Sequence, residues 1–196
     1  MGPMPSPEAP QRPLDEQARE TLLRIAGDSL RHGLKHGCAL PVDAGAYPAD
    51  LQARRASFVT LQRHGDLRGC IGHLEATQPL VKDVAENAFA AAFRDPRFPP
   101  LTEDELEGLE THISVLTPAR PITFSSEQDL IAQLRPGRDG LILKDGLNQG
   151  TFLPSVWESL PDPAEFFRHL KLKAGLPPSH WSDSLEVYRY ETESFP

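Results

Sequence analysis

The segment Leu67-Arg68-Gly69-Cys70-Ile71-Gly72 gathers the side chains best suited to chemistry in this 196-residue chain. Cysteine attacks as its thiolate, and an unperturbed cysteine is only a few per cent ionised at neutral pH. In a regular strand Arg68 and Cys70 share one face, while Leu67, Gly69 and Ile71 point the other way. A guanidinium about 7 Å from the sulfur, at an effective dielectric of 20 to 80, favours the thiolate by roughly 0.6–2.4 kcal/mol. That makes Cys70 reactive without ionising it fully, so a general base is required as well. His73, His112 and His64 are the candidates, and such partners meet in space rather than at fixed spacing. The competing reading makes Cys70 a small apolar filler beside a cleft. Gly69 and Gly72 weaken a strand, which marks a bulge or a close approach of backbone or ligand.

Other clusters carry less. Asp28, His32 and His36 are spaced by four and line one helix stripe, as a helical metal site would require. The stripe lies near a helix C-terminus, where histidines favour the dipole, and no glutamate completes a zinc pattern, so a solvated helix end is expected. Asp95 and Arg97 flank Pro96, and the preferred reading is an ion pair that fixes the loop. The functional reading is an arginine at a cleft rim that recognises an anion. Gly137-Arg138-Asp139-Gly140 lacks P-loop spacing and its lysine, so it reads as an ordinary turn. Trp157 and Trp181 read as packing residues.

The elements that position these residues follow from periodicity. Apolar residues from Leu14 to Leu34 recur at helical spacing, and Gly37 is a natural stop. After a loop over Pro41–Pro48, apolar runs at 57–63 and 67–74 form a hairpin turning at His64-Gly65-Asp66. Gln78–Arg94 is an alanine-rich helix with Pro79 in its first turn. Three prolines make 95–100 a loop, and Thr102 with Glu105 is a capping box for a short helix. Glu110–Thr117 alternates as a strand, with Thr111, Ile113 and Val115 on one face and His112, Ser114 and Leu116 on the other. A helix to Leu134, strands at 140–144 and 185–190, an extended piece at 151–154 and a helix at 164–174 complete the chain. Without a regular βαβ repeat, the pattern is α+β.

Composition bounds the rest. A net charge of −8 argues against nucleic acid as the partner, since that affinity rests on clustered Lys and Arg. No apolar run approaches the roughly 20 residues of a bilayer span. Residues 1–13, rich in proline, read as a disordered tail and not as a secretory signal. With only Cys38 and Cys70 there is no disulfide framework, and a cytoplasmic location with both as thiols is expected.

Phe58-Val59-Thr60-Leu61 and Leu67-Arg68-Gly69-Cys70-Ile71-Gly72 resemble the AMMECR family. Further motifs agree in order: Ala90-Ala91-Ala92-Phe93, Asp95-Pro96-Arg97-Phe98, Ile113-Ser114-Val115-Leu116, Gly140-Leu141, Phe152-Leu153-Pro154 and Lys173-Ala174-Gly175-Leu176. The resemblance covers roughly residues 14–195 and is similar to the bacterial branch, the A component of AmmeMemoRadiSam systems. It implies a mostly antiparallel sheet flanked by helices in two unequal lobes, the larger holding both chain ends, with a cleft between them that carries the Arg-Gly-Cys segment. It also implies a Memo-like protein and a radical SAM enzyme as partners, and it brings no settled reaction. His73 after the motif and Leu172, where a cysteine is often found, depart from the family; the second weakens any two-cysteine mechanism. As an enzyme the chain would act on a small molecule, with Cys70 as nucleophile or covalent acceptor and Arg68 stabilising thiolate or an anionic substrate. His73 or His112 would move the proton, and Gly69, Gly72 and Arg97 would contact substrate. The alternative is a non-enzymatic binding or scaffold module in which Cys70 packs. Neither reading assigns a metal or a cofactor.

Overall fold

The computed structural model describes residues 12–196, so the expected tail lies almost wholly outside the described residues. Two compact units emerge, one running through Val115 and taking back Glu193–Pro196, the other formed by Leu116–Thr192. The fold is α+β, with two four-stranded sheets flanked by helices.

In the first unit α1 (Glu16–His36) opens on Asp15, whose carboxylate accepts the Ala18 N–H at 2.8 Å. It ends at Gly37 with φ 69°, a left-handed conformation that suits glycine. Its stripe Leu22, Ile25, Ala26 and Leu30 is buried, and each large member contributes about 1.5–3 kcal/mol. A short α2 (Ala49–Gln52) follows the proline-marked loop, and no periodicity announces it. Next come β1 (Ser57–Arg63) and β2 (Asp66–Gly72), joined through His64 (φ 54°) and Gly65 (φ 85°). Two successive positive φ values are what a tight two-residue hairpin demands. α3 (Leu80–Phe93) buries Leu80, Val81, Val84, Ala85, Ala88, Ala91 and Ala92. It lies close to α1, where Ser29 Oγ donates to the Ala85 carbonyl at 2.6 Å and a Cβ on Gly33 would stand 2.4 Å from the Phe93 ring.

The capping box at Thr102 and Glu105 is present, although it opens a 3-10 turn over Glu103–Leu106 and not an α-helix. β3 (Leu109–Leu116) then pairs antiparallel with β1. Its Ile113 and Val115 are buried with Val59 and Leu61 of β1 in the same core as α1 and α3. His112 and Ser114 lie on the opposite face, as the alternation predicts.

The second unit holds β4 (Arg120–Pro121), α4 (Glu127–Gln133), β5 (Gly140–Asp145), β6 (Asn148–Phe152), α5 (Pro163–Lys173) and β7 (Glu186–Tyr190), with sheet order β4-β7-β5-β6. Trp157 is buried, stacked 3.7 Å from Phe166 and donating to the Asp139 carbonyl, while Trp181 tilts against Phe124. Both pack. The turn at 137–140 is held by buried Asp139, which accepts from the Arg135 side chain. Finally β8 (Thr192–Phe195) extends the first sheet to the order β2-β1-β3-β8, and Glu193 binds the Leu14 N–H and buried Arg55. β4 and β8, two and four residues long, lack a readable alternation, which is why the sequence pattern misses them.

Candidate functional site

The pairing of β2 with β1 corrects one expectation. Leu61 pairs with Gly69 but Gln62 pairs with Leu67, so Arg68 is the extra residue of a β-bulge. The alternation breaks there, so the period of two no longer places Arg68 beside Cys70. Leu67 is exposed, while Arg68 is buried. Its Nε and Nη2 fork onto Glu105 at 2.8 and 3.0 Å, and Nη2 also reaches the Pro99 carbonyl at 2.8 Å. The Arg68 hydrogen bonds bring the Glu105 carboxyl down to about 2, outweighing the effect of burial. The guanidinium therefore serves a carboxylate 37 residues away along the chain and not the thiol.

Both glycines of the motif are close-approach positions. A Cβ on Gly69 would stand 2.0 Å from the Ala91 carbonyl oxygen of α3, and one on Gly72 would stand 2.4 Å from the Ser57 carbonyl oxygen. What comes near is the protein's own backbone.

Cys70 sits on an edge strand, so its outward N–H and C=O need partners. The loop after α3 supplies them. Asp95 Oδ2 accepts the Cys70 N–H at 3.0 Å, and Arg97 Nη2 lies 3.5 Å from the Cys70 carbonyl oxygen. Arg97 also forks onto Asp95, at 3.0 Å through Nε and 2.7 Å through Nη2. That contact, joined by the Cys70 N–H, holds the buried Asp95 carboxyl far below the usual carboxylate range against the opposing effect of burial. The expected loop-fixing pair is thus present, and it makes Arg97 the arginine at Cys70. Phe98 lies between the two arginines, 5.8 Å from Arg68 and 5.5 Å from Arg97.

On the other side of Cys70, Thr60 Oγ1 donates to Sγ at 3.2 Å. Thr60 is the cross-strand partner of both Cys70 and His112, so the three form one row on the face away from the helices. Across two strand spacings His112 lies roughly 10 Å from Cys70, backbone to backbone. Among the described residues, no imidazole or carboxylate is within hydrogen-bond distance of the Cys70 sulfur. His112 Nε2 is buried without a hydrogen-bond partner, and Glu110 is 3.8 Å away. His64 lies in the hairpin turn, beside Gly108.

His73 belongs elsewhere. It lies past the end of β2 with Nδ1 3.8 Å from Asp83 Oδ1, on a buried polar cluster that the sequence reading missed. There Asp83 accepts from Ser57 Oγ at 2.6 Å, Asn87 Nδ2 at 3.0 Å and Gln78 Nε2 at 3.3 Å. Burial dominates over these contacts and pushes the Asp83 carboxyl up. Asp83 and Asn87 are spaced by four on the otherwise apolar face of α3, a pattern that signals a satisfied buried network. A second unforeseen contact joins Cys38 Sγ to His32 Nε2 at 3.5 Å, with the His36 ring 4.4 Å from that of His32. No group of three or more His, Cys, Asp or Glu among the described residues is placed to hold a metal ion. Nor, among them, is any helix long and apolar enough to cross a membrane.

Comparison with known proteins agrees with this architecture. A protein of Methanothermobacter thermautotrophicus is 38% identical over 191 residues, covering 93% of this chain and 96% of its own length. One from Thermotoga maritima is 41% identical over 151 residues, covering 76% of this chain and 82% of that protein. The crystal structure of an uncharacterized protein from Pyrococcus horikoshii superposes with a TM-score of 0.78 at 35% identity, covering 89% of each chain. The AMMECR1 family model matches residues 23–195, and the chain belongs to the AMMECR1 family.

Proposed function

We propose that this protein is a binding or docking module of the cytoplasm that works beside a Memo-like protein and a radical SAM protein, with Cys70 as a packing residue. The observation that carries this reading is the state of the thiol. Thr60 is its side-chain partner, and Asp95 and Arg97 hold its backbone on both sides. A nucleophilic cysteine needs a base in reach, and that position is filled by a hydroxyl. The partners come from the family resemblance. The test is co-purification of the Memo-like protein with this chain and with its Cys70→Ala variant. Equal recovery is expected, whereas loss of the partner from a folded variant would overturn the reading.

A second reading has one specific observation in its favour, the row formed by Cys70, Thr60 and His112 with an unpartnered His112 Nε2. Here Cys70 is the nucleophile or covalent acceptor for a small molecule, Thr60 bridges, His112 carries the proton, and Arg97 replaces Arg68 as the local cation. Alkylation of Cys70 across pH, in the native protein and in His112→Gln, tests it. An apparent thiol pKa above about 9 removes Cys70 from chemistry.

A further inference from the structure

A pocket of about 450 Å³ opens in the first unit between the chain just after α1, the end of β2 and the outer face of α3. Cys70 does not line it, so its occupancy is independent of either reading above.

Asn87 forms part of the pocket and is fully buried, and its Oδ1 has no hydrogen-bond partner among the described residues. The amide orientation is fixed by its other end. Nδ2 faces the Ser57 carbonyl oxygen at 3.0 Å and Asp83 Oδ2 at 3.0 Å, and a flipped amide would set oxygen against oxygen. A buried acceptor with no donor is uncommon and calls for an explanation. Around it stand two groups suited to an anion. His73 is exposed and backed by Asp83, while Arg94 is exposed and pairs with no carboxylate among the described residues. Arg94 lies 5.1 Å over the Phe89 ring, which with Ile71 supplies an apolar wall. Glu86, on the rim, accepts from Gln78 Nε2 at 2.7 Å.

We infer that this pocket binds a small organic monoanion that carries an O–H or N–H donor beside an apolar body. The anionic group meets Arg94 and His73, the donor satisfies Asn87 Oδ1, and the apolar body lies against Ile71 and Phe89. Glu86 repels a second negative charge, which selects a monoanion over a dianion. The volume falls within the roughly 300–1,000 Å³ common for small-molecule sites.

The pocket contains its own reporter, because Cys38 lines it and is exposed. Labelling by N-ethylmaleimide, followed at each cysteine by mass spectrometry, reads occupancy with 3-hydroxybenzoate as the probe. At ten times the probe's dissociation constant, labelling of Cys38 slows about tenfold while that of Cys70 is unchanged. Benzoate, which lacks the hydroxyl, protects less at the same concentration, and Arg94→Gln, a surface change, weakens protection by both. No protection at millimolar probe, equal slowing at both cysteines, equal protection by benzoate, or an unaffected Arg94→Gln variant would each overturn the assignment.

Discussion

Asp95 holds Cys70 by its backbone, its Oδ2 accepting the Cys70 N–H at 3.0 Å while the same carboxylate carries the Arg97 fork. The Asp-Pro-Arg loop therefore closes the edge of β2 in place of a neighbouring strand.

Asp95→Ala strands the Cys70 N–H and releases Arg97, and it should destabilise the protein by about 1–3 kcal/mol. Asp95→Asn keeps one oxygen for the N–H and should lose less. Urea denaturation at neutral pH checks both, and equal stability of the Ala variant and the parent would refute the strap.

The Arg68–Glu105 fork predicts a direction for acid denaturation. Glu105 titrates at about 2 in the folded chain against an ordinary value of 4.5. The folded pKa is depressed, so the stabilisation is complete above about 4.5 and is lost as pH falls toward 2. In Arg68→Met that contribution is absent. The stability gap between parent and variant should therefore be widest at neutral pH and shrink through that window in urea titrations. A gap that widened on acidification would contradict the assignment.

The glycines separate steric from conformational demand. At Gly69 a Cβ would meet the Ala91 carbonyl oxygen at 2.0 Å, and backbone cannot rotate away as a side chain can. Gly69→Ala should cost about 3 kcal/mol or more. At Gly65, φ is 85° and nothing lies within 4 Å of the added carbon. Gly65→Ala should cost about 1–2 kcal/mol, and Gly65→Asn, which tolerates the left-handed region, should recover part of it. Thermal or urea unfolding of the three variants ranks them.

The limits of the sequence reading have the same physical origin as these effects. The hairpin was legible because alternation and a glycine turn are local signals, and the glycines rightly marked a close approach. The bulge at Arg68 was not, because register belongs to two strands at once, and one skipped residue reverses which face follows. Glu105, the partner of Arg68, lies 37 residues away, and nothing in the motif points to it. The Asp95–Arg97 pair could be seen from its spacing, but its role at Cys70 could not. The Asp83–Asn87 pair leaves a trace in the sequence, two polar residues four apart on a buried helix face, but their partner Ser57 lies on another element.

Asp83 predicts the opposite pH response to Glu105. Burial raises its folded pKa above the ordinary 3.8, so the folded state favours the protonated form. Its contribution to stability is complete below about 3.8 and is lost as pH rises through the elevated folded value. Asp83→Asn does not titrate, and its oxygen can still accept from Ser57 Oγ and Asn87 Nδ2, the two donors that meet at Oδ2. Relative to the variant, the parent should therefore lose stability as pH rises from about 4 through the elevated folded value. His73 stands 3.8 Å from the carboxylate, so the comparison is made in a His73→Gln background. Urea midpoints across that range decide the sign: a parent that gains on Asp83→Asn with rising pH would show that the hydrogen bonds, and not burial, govern this carboxyl.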